Sequence, residues 1–393
     1  MDPKAAAREH LDGLRGELVA LSHRIHAAPE LAFEEECASG WLAEWLADAG
    51  FAVRRGVCGL PTAFVASRGS GPLHVAYCAE YDALPGIGHA CGHNVIAALA
   101  AGAGAAAARV ADDVGLTVSV IGTPAEETGG GKLALLEGGA FTGVHAAMMA
   151  HPAPVDVLAL PFVALWECDV HYRGKAAHAS AFPELGINAA DAVTVAQVAI
   201  GLLRQHIGPQ DRIHGIVTRG GEAPNVVPAH ATARYDVRSG THAELESVRA
   251  KVLRCFEAGA LATGARMEVR ETSPPYAEVR HDADLGALYR ANAHRLGRTF
   301  IDVGARERAV GSTDMGNVSQ VLPVIHPMIG IDSLPAVNHQ PEFAAHSVSA
   351  AADRAVMDGA LLLAWTAIDA ACSPELRARL QATTPPCERD PLR

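Results

Sequence analysis

Apolar and polar positions along this chain fall into two rhythms. Uninterrupted apolar runs at 73–79, 116–121 and 146–150 are each closed by polar or glycine-rich chain, which predicts buried strands. Helical stretches lie between them at 95–110 and 132–137. Upstream, Leu42, Trp45 and Leu46 recur at helical spacing before Gly50, after an earlier helix that ends near Pro29. Strand and helix in alternation predict an α/β domain, a mixed but mostly parallel sheet with flanking helices. In such sheets ligands gather beyond the carboxyl ends of the strands. Polar residues do follow the runs here: Glu80 and Asp82 the first, Glu126 and Glu127 the second, His151 the third.

After Pro161 the texture changes. An alternating run at 165–172, a helical pattern at 188–207, extended runs at 212–219 and 231–238, a helix at 243–262 and a last extended run at 267–270 spell β-α-β-β-α-β. That order predicts an inserted α+β, ferredoxin-like domain over 164–273, with 1–163 and 274–393 forming the α/β domain around it. A chain of 393 residues suits such a division. The later part holds a helix at 285–296, loops marked by Gly311, Pro323 and Gly330, and a closing helix at 349–371. Beyond it, 374–393 shows no periodicity and is expected to be irregular and mobile.

Composition narrows the function. A formal net charge of −12 argues against a nucleic-acid partner, which needs a basic patch. The apolar stretch at 96–108 falls short of the about 20 residues a membrane span requires, so no membrane partner is expected. Eight cysteines without framework spacing, and an opening Met1-Asp2-Pro3-Lys4 that is no signal peptide, lead us to expect a cytoplasmic protein with reduced thiols. Gly102-Ala103-Gly104 imitates a dinucleotide fingerprint but sits in a helical alanine run, and Gly131-Lys132-Leu133 lacks the rest of a phosphate loop.

The chemistry-bearing residues point elsewhere. In Ala90-Cys91-Gly92-His93-Asn94, a thiol and an imidazole flank one glycine, after a loop rich in Gly and Pro that can turn both toward one point. An adjacent Glu126-Glu127 pair can divide its work, one carboxylate binding metal and the other taking a proton from water. His151 precedes Pro152, and His339 lies in Asn338-His339-Gln340-Pro341. Each alone reads more readily as a buried thiol, a solvated carboxylate or a hydrogen-bonding imidazole than as part of a metal site. As a set, Cys91, His93, Glu127, His151 and His339 with Glu126 to spare describe a two-metal site of mixed N, O and S donors.

These motifs, with Gly174-Lys175-Ala176-Ala177-His178-Ala179 and Pro224-Asn225-Val226-Val227-Pro228, occur in the order of the M20 metallopeptidases. The chain resembles their amidohydrolase branch, with aminoacylases and hippurate hydrolases, over roughly residues 15–370. Three longer motifs narrow the likeness: Glu80-Tyr81-Asp82-Ala83-Leu84-Pro85, Gly122-Thr123-Pro124-Ala125-Glu126-Glu127 and Ser312-Thr313-Asp314-Met315-Gly316-Asn317. They are similar to the group of peptidase M20 domain-containing protein 2 and the B-type component of aminobenzoyl-glutamate hydrolase.

The resemblance implies roles by position. Cys91, His93, Glu127, His151 and His339 match ligands of two divalent ions, zinc or manganese with cobalt also compatible. Glu126 matches the catalytic base, and Asp82 the acid that steadies a ligand imidazole. Glu80 departs from the pattern: many M20 peptidases carry a ligand His there, and the Cys-Gly-His arrangement takes over. His178 matches a lid histidine that reaches a neighbouring subunit's active site, which implies a homodimer through the inserted domain. Asn225, Arg238 and Ser312 match substrate-binding positions, where the guanidinium fork of Arg238 suits a carboxylate.

The implied activity is hydrolysis of a small dipeptide or N-acyl amino acid, in the nearest group one with a basic C-terminal residue. A water activated by metal would lose its proton to Glu126. An N-acyl amino acid deacetylase uses the same machinery. A catalytically silent metal- or amino-acid-binding protein stands as the reading from another class.

Overall fold

The computed structural model describes residues 2–302 and 311–383. They form two compact units, one of 2–160, 279–302 and 314–383, the other of 161–278 and 311–313.

In the first unit the apolar runs become a six-stranded sheet, in the spatial order Ala52–Arg55, Phe64–Gly69, Leu116–Gly122, Leu73–Ala79, Ala146–Met148, Val324–Ile325. The last four of these strands run parallel, and the first two close the sheet with an antiparallel edge that the periodicity does not resolve. Val75 to Ala79 are fully buried on both faces, as an unbroken apolar run in a covered sheet requires. Helix His93–Ala108 is buried along its whole length. A Cβ on Gly102 would lie 3.0 Å from Ala360 Cβ, and one on Gly104 would lie 2.4 Å from Val120 Cγ2. The glycines of the apparent nucleotide fingerprint therefore serve close packing against a helix and the sheet. Helix Ala350–Cys372 is long and apolar enough to span a membrane, yet 83% of that stretch is buried inside the protein. It is a core helix.

Two expectations need correction. The chain after Ser373 is not wholly irregular, because Pro374–Ala382 is a helix whose N-cap is Ser373 and whose Leu380 is buried; from residue 384 the tail lies outside the described residues. Nor does the third apolar run extend to 150 as one strand. It breaks after Met148, and His151 opens a separate short strand, His151–Ala153, paired in parallel with Met328–Gly330.

The second unit is a four-stranded antiparallel sheet in the order Arg266–Glu271, Ala164–Arg173, His230–Ser239, Arg212–Arg219. Helices Ala189–Leu203 and His242–Thr263 follow the first and third strands in chain order. Asn188 and Thr241 cap them, their side-chain oxygens accepting first-turn backbone N–H groups. Trp166, Tyr172, Val252 and Phe256 fill the unit's core.

Candidate metal centre

Gly92 makes the first pair of donors compatible. It stands at φ 79°, and a Cβ there would lie 2.5 Å from Pro152 Cγ, so no other residue fits without displacement. Past this turn His93 begins its helix. Cys91, His93 and His151 then offer donor atoms within 4.8 Å of one another. Cys91 Sγ lies 3.5 Å from His151 Nε2. His151 Nδ1 is 2.8 Å from the Pro152 carbonyl, which can only accept, so Nδ1 carries the proton and Nε2 the lone pair.

Asp82 ties two strand-end loops together. Its Oδ1 accepts from His93 Nδ1 at 2.9 Å, which leaves Nε2 of that ring as the free donor. Its Oδ2 accepts the backbone N–H of Glu127 at 2.9 Å. One carboxylate thus orients both residues, and an amide cannot accept at both atoms. Asp82→Asn is expected to weaken metal binding by about 10–100-fold, read by competition with a chromophoric chelator. An unchanged affinity would remove Asp82 from this role.

Glu127 spans two imidazoles, with Oε1 3.7 Å from His93 Nε2 and Oε2 3.5 Å from His339 Nε2. His339 is a non-glycine residue at φ 68°, held there by its own N–H, which donates to the Ala90 carbonyl at 2.8 Å. Beside it, Asn338 Nδ2 donates to the Pro152 carbonyl at 3.1 Å. The His339 side chain is 58% exposed and forms the open side of the cluster.

Glu126 is buried, with Oε2 4.0 Å from His93 Nε2. The turn before it is unusual, since Ala125 sits at φ 59°. Its N–H donates to Glu35 Oε1 at 2.8 Å, and Glu35 also accepts from Phe33 N–H at 3.0 Å and the Thr62 hydroxyl at 2.9 Å. Burial pushes the Glu35 carboxyl up to about 6. Sequence reasoning misses Glu35, which sits among three consecutive glutamates that look like one solvated run.

It also misses Lys132. This side chain is wholly buried, and its Nζ donates to Glu80 Oε1 at 2.5 Å and Asp314 Oδ1 at 2.6 Å. The Lys132 backbone N–H donates to Asp314 Oδ2 at 2.9 Å. Burial opposes the charge on Lys132, but Asp314 and Glu80 hold its pKa well above the ordinary value. Asp314 is pushed up by burial to about 6.

Charge in the cluster is strained without a cation. Burial drives the Cys91 thiol and the Glu126 carboxyl well above their usual values, and the neighbouring carboxylates add to it: Glu127 for Cys91, Glu80 and then Glu127 for Glu126. Burial takes His151 down to about 4. Burial disfavours charge on His93 too, but Asp82 raises it well above the usual imidazole. A divalent ion reverses this balance, since it deprotonates thiols and carboxyls that touch it. Three buried atoms without a hydrogen-bond partner, Glu80 Oε2, His93 Nε2 and Glu127 Oε1, meet in this cluster. Neighbouring donors on a tetrahedral zinc ion lie about 3.3–3.6 Å apart. The separations Cys91–His151 and His339–Glu127, both 3.5 Å, match that spacing. The donor set fits a metal.

The remaining sequence-predicted residues lie in the second unit. Ala179 N–H donates to the Asn225 carbonyl at 3.0 Å and His178 bridges to Val226, so His178 and Asn225 share one corner of it. Arg238 Nη1 donates to Ser312 Oγ at 2.9 Å and Nη2 lies 3.7 Å from Asp236.

Strand-end carboxylates, imidazoles and a thiol on a mostly parallel sheet define a metal-dependent hydrolase of the α/β class. A peptidase dimerisation domain model matches residues 164–263. Over 391 residues the chain is 41% identical to the Xaa-Arg dipeptidase of Mus musculus, covering 95% of this chain and 90% of that protein. It is 33% identical to the B-type component of p-aminobenzoyl-glutamate hydrolase of Escherichia coli strain K12, over 70% of this chain and 61% of that one. The Bacillus subtilis YXEP protein, described as a dinuclear metal-binding peptidase of the M20 family, superposes with a TM-score of 0.71 at 22% identity, covering 92% of this chain and 99% of that one. The chain belongs to the M20 metallopeptidase family, in its amidohydrolase branch. It is a metallohydrolase of peptide or other linear amide bonds.

Proposed function

We propose that this chain is a dipeptidase that removes a basic C-terminal residue, with Glu126 as general base. The observation that carries the reading is the convergence of Cys91, His93, Glu127, His151 and His339 around buried atoms with no partner of their own. The likeness to the mouse dipeptidase along nearly the whole chain supports the substrate class. The formal charge of −12 favours approach of a cationic dipeptide.

Cys91, His93, Glu127, His151 and His339 hold two divalent ions, zinc by the softness of the thiolate, with manganese or cobalt also served by this set. When bound, the ions acidify water and polarise the scissile carbonyl. Glu126 takes the proton from the attacking water and returns it to the leaving amine as the C–N bond breaks. Asp82 keeps His93 and Glu127 oriented. Arg238, with Ser312 against its guanidinium, and Asn225 bind the substrate's carboxylate and carbonyl.

His178 steadies the oxyanion of a neighbouring subunit in a homodimer formed through the second unit. Exposed apolar side chains on that unit support the reading: Ile216 and Val217 on its edge strand Arg212–Arg219, and Val198 and Leu202 on the helix Ala189–Leu203.

The test is a panel of Xaa-Arg, Xaa-Lys and Xaa-Ala dipeptides, N-acetyl amino acids and aminobenzoyl-glutamate, offered to chelator-stripped and zinc-, manganese- or cobalt-reloaded protein. Hydrolysis is expected to vanish on stripping, to return on reloading, and to be fastest on the basic dipeptides. Preference for N-acetyl substrates would favour the deacetylase reading, and no turnover by fully loaded protein would favour a silent binder.

A further inference from the structure

We propose that Glu80 is a further metal donor, through Oε2, with Lys132 and Asp314 holding it in place. The inference rests on the metallohydrolase reading above and extends its ligand set. Glu80 and Asp314 both face the Lys132 ammonium, but they use their oxygens differently. Asp314 commits both, Oδ1 to Nζ at 2.6 Å and Oδ2 to the Lys132 backbone N–H at 2.9 Å. Glu80 commits only Oε1, at 2.5 Å from Nζ. Its Oε2 is buried and has no hydrogen-bond partner. Neutralising Lys132 engages Oε1 alone, which leaves the second buried oxygen without a hydrogen bond and with His93 beside it.

The orphan has a direction. Glu80 Oε2 lies 3.5 Å from His93 Nε2, an atom equally buried and equally without a partner. The His93 ring is fixed by Asp82 at Nδ1, and the Glu80 carboxylate is fixed by Lys132 at Oε1. The two fixed side chains thus face each other at the spacing of about 3.3–3.6 Å that separates neighbouring ligands on tetrahedral zinc, and an ion that displaces the His93 Nε2 proton would find an electron pair on each. Glu80, His93 and Glu126 offer donor atoms within 4.8 Å of one another, so the added donor points to the place where the proposed base also stands. Lys132 then acts as a positioning residue. It holds one oxygen so that the other can bind.

The test compares wild type with Glu80→Gln, both stripped and then titrated with zinc and with cobalt. Wild type is expected to take up two ions per chain. The variant should retain one at unchanged affinity and bind the other roughly tenfold or more weakly, with an altered cobalt d–d absorption. Two ions bound with wild-type affinities and an unchanged cobalt spectrum would overturn the proposal. Should the variant fail to fold, a crystal structure of zinc-loaded wild type decides: Glu80 Oε2 at about 2.0–2.2 Å from an ion supports the assignment, and an oxygen still pointing at no ion overturns it. A wild-type protein that takes up no ion would overturn the metallohydrolase reading itself, and with it this extension.

Discussion

Glu126→Gln is expected to lower kcat by about 10²–10⁴-fold while the protein still carries its wild-type metal content. The substitution keeps the shape of a buried side chain and removes its ability to take a proton. In the metal-free chain burial, then Glu80 and Glu127, raise the Glu126 carboxyl; a cation beside it opposes that shift and leaves a carboxylate able to take the proton of an attacking water. Its nearer oxygen stands 4.0 Å from His93 Nε2, against 3.7 Å for Glu127 and 3.5 Å for Glu80. That places Glu126 beside the donors rather than among the closest of them. Glu127→Gln should therefore behave differently and lose metal along with activity. Steady-state kinetics on an Xaa-Arg dipeptide, paired with elemental analysis of the same samples, separates the two. Substantial turnover by metal-replete Glu126→Gln would remove it as the base.

Much of the sheet was legible because burial on both faces leaves an unmistakable apolar run: Leu73–Ala79 and Leu116–Gly122 emerge within a residue of the predicted ends. Phe64–Gly69 was not, since Ser67 and Arg68 break its apolar character where the strand runs out to its exposed C-terminal end. Val324–Ile325 spans only two residues and takes its strand geometry from partners distant in the chain, Ala147 and Met148 on one side and His281 on the other. At the site, residue type and position after strands single out Cys91, His93, Glu126, Glu127 and His151. The supports stayed hidden because their meaning is set by distant partners. Glu35 reads as one solvated glutamate among three until the fold buries it against Ala125. Lys132 reads as a failed phosphate loop until Glu80 and Asp314 close around it from 52 and 182 residues away. The left-handed turn at His339 carries no glycine or asparagine at that position to announce it.

The largest effect on stability is expected from Lys132→Met. The native ammonium is wholly buried between two buried carboxylates, and removing it leaves both without their cation. Breaking such a pair from one side costs about 3–5 kcal/mol, which chemical denaturation of the metal-free protein would read directly. Replacing Glu80 by Gln and Asp314 by Asn in the same variant should recover much of that loss, because the cost lies in the unpaired charges and not in lost packing. The pH dependence has a definite sign. Asp314, already pushed up by burial to about 6 with the ammonium present, binds its proton more tightly in the folded chain than in the unfolded one. Protonation therefore favours the folded state as pH falls, and it does so more strongly where no ammonium competes for the carboxylate. The gap between wild type and variant should narrow from pH 7 toward pH 5. A loss below about 1 kcal/mol, or a gap that does not change with pH, would show that the ion pair is not what the buried lysine contributes.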